Sequence, residues 1–301
     1  METSSAPSAE EHVYSLHAAP DRGRRFNLKW RRLWKHRLGM LALAFLGTLA
    51  FVVIAVPALP LPAPDSMDAD SVAHSPDGAH LLGTDGFGRD ILSRLLYAGR
   101  VSLSVGTFSA GTAAIAGTIA GLLSGYRRGA VDATFSRLAD TILSFPVILL
   151  AIVLAGTLGP GLSNVVIALA VVFSPRFFRL ARSSTLALGS SEFVVAARVL
   201  GGSDWRVMFR HILPNVLAPL VVQLTVAYAF AIIAEASLSF IGLGIQPPTP
   251  SWGTMLNEAR TYMSSAPWFI LSVGVTLTLT GLSLNVLGDA LRDAFDPTLR
   301  L

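Results

Sequence analysis

Five stretches of this chain contain no Asp, Glu, Lys, Arg or His: 38–64, 101–126, 141–175, 212–234 and 261–288. A bilayer core about 30 Å thick is crossed by about 20 mostly apolar residues in a helix. Inside hydrocarbon each backbone polar group needs a partner within the protein, and a helix supplies one for every turn. The runs therefore predict an all-α, polytopic membrane protein. The run 141–175 is too long for one crossing, and Gly156, Gly159, Pro160 and Gly161 mark a turn near its middle. Six transmembrane helices follow, at roughly 38–57, 101–125, 138–158, 162–180, 213–235 and 268–288. The fourth is the weakest, because Pro175 and Arg176 arrive early. The stretch 236–257 also lacks Lys, Arg and Asp, but Pro247, Pro248 and Pro250 make it a poor helix. It reads as a loop or re-entrant segment.

Composition agrees. Hydrophobic residues make up 52% of the 301 and charged residues 14%, against about 25% charged in an ordinary soluble domain. The chain has no cysteine, so no disulfide framework, thiolate metal site or cysteine nucleophile can be built.

The charges lie between the runs. Residues 1–25 mix Ser, Ala, Pro and Glu and read as a disordered tail. In 26–37, Phe26, Trp30, Leu33 and Trp34 recur at helical spacing among Arg31, Arg32, Lys35 and Arg37. That pattern predicts an amphipathic helix on the membrane surface, with a plain basic flank as the alternative. The first span and an outer loop fill 38–100. A core domain fills 101–288, and 289–301 forms a second tail. Lys and Arg concentrate before the first span, at 127–137, at 176–210 and at the C-terminus; only Arg89, Arg94, Arg100 and Arg260 fall on the other side. The asymmetry predicts a multi-pass protein of the inner or plasma membrane with both termini cytoplasmic. These basic residues serve topology and anionic lipid headgroups, so the net charge of +4 carries no implication of nucleic acid.

Several chemistries are missing from the sequence. Lys29 and Lys35 are the only lysines and neither follows a glycine, so the chain has no phosphate-binding loop of the nucleotide-hydrolase type. It has no zinc-protease helix and no nucleophile elbow. His74 and His80 share a loop with Asp77, Asp85 and Asp90, which reads as a solvated acidic loop in preference to a metal site. No catalytic, cofactor-binding or metal-binding residue is assigned. The chain reads as a transport component that depends on another protein for energy.

The loop 183–212 is too long for a passive connection. Phe193, Ala196, Ala197 and Leu200 fall on one helical face. Gly201 and Gly202 break that helix. Ser203 and Asp204 can cap a second one through Trp205, Met208, Phe209 and Ile212, which Pro214 closes at the next span. Apolar residues on such a knob need a covering surface, which is either a partner protein or the chain's own helix ends.

Here the residues resemble a known family. Ala196-Ala197, Gly201 and Leu213-Pro214 match the spacing of the coupling loop of ATP-binding-cassette import permeases, E-A-A-x3-G-x9-I-x-L-P. Val195 stands at the glutamate position and His211 at the isoleucine. Glu192, one turn earlier, is the candidate replacement for the glutamate. HLLGTDGFGRDILSR at 80–94, AEASLSFIGLG at 234–244, PSWGTM at 250–255 and NVLGDALRD at 285–293 are similar to motifs of the dipeptide, oligopeptide and nickel permeases. The long outer loop matches their C-type subunit. The resemblance covers 26–301.

The resemblance implies a type I importer permease fold with cytoplasmic coupling helices. It implies a heterodimer with a second permease, two ATP-binding subunits beneath that hold ATP and Mg, and an extracytoplasmic substrate-binding protein. The chain would form half of the pore and couple to the ATPases. In the coupling loop, Gly201 would set the bend, Ala196 and Ala197 would allow close approach, and Trp205 and Phe209 would anchor. Phe193, Leu200, Asp204, Leu213 and Pro214 complete it. Asp85, Arg89 and Asp90 form an outer gate or binding-protein dock, or else a turn held by local Asp and Gly bonds. Glu235 is an intramembrane charge, satisfied by Ser237, Ser239 or the partner permease, or lining the substrate path. Gly117, Gly121 and Gly125 permit close helix packing. The expected solute is a di- or oligopeptide, with nickel or another small solute as the alternative. A self-sufficient secondary transporter would need symmetric halves, which the sequence does not display.

Overall fold

The computed structural model describes residues 36–295. The expected tail 1–25, nearly all of the surface helix 26–37 and the end of the tail 289–301 lie outside the described residues. Their regular structure is helical, apart from one isolated bridge between Thr84 and Asp90.

Helix α1 spans Arg37–Ala55, with the His36 ring accepting from the Gly39 amide as its cap. A long connection then leads to α2, Ile91–Arg127. This helix starts well before the expected 101. Asp90 caps it by accepting from the Ser93 amide at 2.7 Å, so Arg94 and Arg100 lie inside the helix. Its 37 residues extend about 55 Å at about 1.5 Å each, well beyond the membrane core.

The third predicted span is a bent pair. Helices α3, Gly129–Leu143, and α4, Val147–Leu158, meet at 96°. Pro146 lies at the break and starts α4, where a proline's missing N–H costs nothing. Helix α5, Leu162–Leu188, runs straight through Pro175. The carbonyl that Pro175 cannot use, that of Val171, accepts from the Ser174 hydroxyl at 3.0 Å, so the proline does not end the helix.

The glycine repeat explains how α2 and α5 pack. A Cβ on Gly117, Gly121 or Gly125 would lie 2.3 Å from the Ser174 carbonyl oxygen, 2.5 Å from that of Phe178 and 2.8 Å from that of Arg182. Each step of four on α2 matches a step of four on α5, so the two helices touch backbone to backbone and run parallel. Both therefore finish at the same end. The bent pair between them must return the chain, and it supplies the sixth crossing alongside five helices long and apolar enough to cross alone. Gly121→Val should push the pair apart at a cost of about 1–3 kcal/mol. A lowered melting temperature of the purified protein in detergent checks this, with Gly111→Val, which faces open space, as the unaffected control.

Short α6, Glu192–Val199, precedes α7, a continuous helix over Asp204–Phe240. Pro214 was expected to close a separate helix before the span. The structure instead widens to π-helical turns over Val207–Ile212 and carries on through the proline. The Leu213 amide reaches back to the Met208 carbonyl, so the wider turns absorb the donor that Pro214 lacks.

The stretch 236–257 also differs from expectation. Ala236 to Phe240 remain in α7, and α8, Trp252–Thr261, is a capped helix. Ser251 and Thr254 form a reciprocal capping box, and the prolines are confined to the link between the two helices. Helix α9, Pro267–Phe295, completes the bundle. His36 lies 3.9 Å from Asp293, so the two described chain ends meet. Leu180 in the last third of α5 and Pro219 in the first half of α7 line a cleft with Arg292 and Phe295, which puts both ends toward the side that carries 183–212.

Candidate functional site

Helix α6 ends in a two-bond cap. The Gly202 amide donates to the Ala197 carbonyl and the Gly201 amide to the Arg198 carbonyl, both near 3.0 Å. Gly201 has φ +79°, a left-handed conformation that glycine adopts without strain. Ser203 then caps α7 by accepting from the Arg206 amide. Asp204, the other expected cap, instead accepts from the Tyr126 hydroxyl at 2.9 Å. Arg198 lies 4.6 Å above the Tyr126 ring. The end of α2 thus fastens both arms of the bend.

Val194, Val207, Met208 and Ile212 turn inward and are fully buried. Phe193, Ala196, Leu200, Gly201, Asp204, Trp205 and Pro214 are exposed, while Ala197, Phe209 and Leu213 are half-buried. Leu200 is 86% exposed, Val199 80% and Trp205 60%. The Trp205 and Phe209 rings stack at 4.1 Å. The bend is therefore anchored by one apolar face and presents another.

At the opposite end, 80–94 folds against α8. Asp85 accepts from the amides of Phe87 and Arg89 and from the Arg89 and Arg94 guanidiniums, at 2.7–3.0 Å. Glu258 of α8 accepts from the same guanidiniums, at 2.7 Å from Arg89 and 2.9 Å from Arg94. Two carboxylates and two guanidiniums form a balanced, largely buried network, with Asp85 and Arg94 each 1% exposed. Burial pushes the Glu258 carboxyl above its ordinary range, and Arg89 draws it part of the way back. Asp90 is spent on the α2 cap and on a 2.9 Å contact with the His80 ring. Asp77 accepts from the His80 amide, which lowers its pKa. Among the described residues no three His, Asp or Glu side chains gather in a metal-binding group.

Glu235 is fully buried in α7. Its two oxygens accept from Ser102 of α2 and Ser239, both at 2.8 Å. Those hydroxyls in turn accept from the Trp252 and Ile245 amides, at 3.1 Å each. Ser237 takes no part, since its hydroxyl donates to the Ile233 carbonyl. The carboxylate joins α2, α7 and the start of α8, and the Trp252 ring nitrogen adds a bond to the Leu95 carbonyl.

Residues 117–301 match the family model described as the binding-protein-dependent transport system inner membrane component. The chain belongs to this family of permeases. It is 41% identical to the dipeptide transport system permease protein DppC of Alkalihalophilus pseudofirmus over 271 residues, 90% of this chain and 89% of that one. It is 42% identical to the glutathione transport system permease protein GsiD of Pectobacterium atrosepticum over 276 residues, 90% of this chain and 92% of that one. It is thus a multi-pass inner-membrane permease component of an importer, and ATP hydrolysis falls to other subunits.

For a permease of this kind, the motif residues sort by geometry. The residues expected to form a coupling loop gather around one bend, and Asp85 and Arg89 gather in one network. Glu235 stands apart from both. Sequence reasoning missed Glu258, Arg94, Ser102 and Tyr126 as partners. Arg94 and Glu258 are separated by 164 residues, and no local pattern links them. The PSWGTM stretch held one usable signal, because the Ser251–Thr254 spacing is that of a helix cap.

Proposed function

We propose that this permease imports di- or oligopeptides as half of a heterodimeric pore, with residues 183–212 as its coupling loop. A second permease would complete the pore. Two ATPase subunits would dock at the 183–212 end, which lies in the cytoplasm together with both termini. A binding protein would deliver peptide at the end that carries 59–90. The positive-charge asymmetry supports this orientation. The peptide substrate is supported by relatives named for dipeptide and glutathione transport.

The observation that carries the coupling role is the rigid apolar bend. Val199, Leu200 and Trp205 project outward while Tyr126 and the two-bond cap hold their backbone. A closing ATPase pair can move the spans only through a contact that does not itself deform, because coupling free energy is lost in a soft link. Wide exposure of large apolar groups on a stapled element meets that need.

The deciding experiment reconstitutes the chain with its companion permease and ATPases in vesicles. ATP-dependent uptake of labelled di- and tripeptides, delivered by the binding protein, is expected. Nickel uptake in place of peptide would overturn the substrate reading. Transport by the chain alone, without ATPase subunits, would overturn the coupling reading.

A further inference from the structure

Behind the coupling loop lies a polar cavity of about 260 Å³, the volume of about nine waters at about 30 Å³ each. Gly125, Tyr126 and Arg128 from the end of α2 line it, with Thr185 and Gly189 from the end of α5 and Arg198 from α6. Two guanidiniums face one small space. Arg198 engages only Tyr126, over its ring and toward its hydroxyl, and among the described residues the Arg128 side chain has no hydrogen-bond or ion-pair partner. Asp204 is engaged by the Tyr126 hydroxyl and Asp132 by Arg182, Ser124 and Ser136.

The backbone at Arg128 is unusual as well. Its φ of +54° and ψ of −161° belong to a region that glycine dominates. Gly129 follows with φ +62° and could have taken the whole turn. An arginine held in that conformation, lining a polar cavity with a second arginine, points to a ligand that repays it. The site lies where the two long helices α2 and α5 both end.

We propose that this cavity binds a phosphate-class anion, the headgroup of an anionic phospholipid or free phosphate, clamped between Arg128 and Arg198. Charge-assisted bonds from two guanidiniums suit phosphate oxygens. Because the cavity walls come from α2, α5 and α6, the anion clips the coupling loop to two spans. Binding of the anion does not depend on the coupling reading, so each can fail without the other.

The test is hydrogen exchange of the amides at 192–202 in the assembled transporter in nanodiscs. Phosphatidylglycerol nanodiscs are expected to slow exchange roughly tenfold relative to phosphatidylcholine, the scale of one strong charge-assisted bond. The same slowing produced by inorganic phosphate in phosphatidylcholine would assign the free anion as the source. Arg128→Gln and Arg198→Gln should abolish the effect, and Arg127→Gln should preserve it. Arg128→Gly is the second variant, because it relieves the backbone: it should melt no lower than the parent and still lose the protection. Protection unchanged by either anion, retained in Arg128→Gly, lost equally in Arg127→Gln, or dependent only on the ATPase subunits would overturn the proposal.

Discussion

Gly201→Asp is expected to reduce ATP-driven peptide uptake roughly 100-fold or more, because an unpaired charge in a desolvated contact costs several kcal/mol and each 1.4 kcal/mol is tenfold. The site has open space around it, so the aspartate meets no clash within the permease. Aspartate also tolerates a positive φ better than most residues. The fold should therefore persist while the contact surface beside Leu200 acquires a charge. Gly201→Ala separates the two causes, since it adds backbone strain alone and should cost uptake far less. The measurement is uptake together with substrate-stimulated ATP hydrolysis in reconstituted vesicles. Normal coupling in the aspartate variant would remove the loop from the energy path.

Asp85→Ala is expected to destabilise the permease by about 3–5 kcal/mol, the cost of leaving one member of a buried ion network without its partner. The substitution removes acceptors for two amides and two guanidiniums, and Arg94 has no route to solvent. Glu258→Ala should cost less, because Glu258 is 23% exposed and water can partly replace it. Arg260→Ala, on the same helix but outside the network, should change little. Thermal unfolding in detergent ranks the three. Equal melting temperatures for Asp85→Ala and Arg260→Ala would show that the network holds nothing together. The same ranking bears on Asp85 and Arg89 as an outer gate or dock: their charges are turned inward onto α8, so any such role passes through the placement of 80–94.

Local patterns were legible in the sequence. Ser203 as a helix cap, Gly201 as a helix stop and the four-residue glycine repeat each depend on neighbours within one or two turns, so spacing alone reveals them. The prolines were less legible. Pro175 read as weakening its span and Pro214 as a helix end, yet a serine hydroxyl and a run of wide turns absorb them. A proline's effect depends on whether some other group satisfies the freed carbonyl. The stretch 236–257 misled for a related reason: its three prolines read as breaking the whole segment, yet they fall in the link between two helices.

The charge-free runs by themselves determined a helical membrane protein with about six crossings, because lipid leaves the backbone few other ways to satisfy its polar groups; the motifs, not the composition, pointed to a permease. The sequence encodes no phosphate-binding loop, and it is the family match that leaves ATP hydrolysis to other subunits. Only the tertiary structure decided which distant groups meet. Glu258 reaches Arg94, Ser102 reaches Glu235 and Tyr126 reaches Asp204 across 78 or more residues. Each of these pairings is set by how the helices cross, and crossing geometry arises from the packing of whole faces.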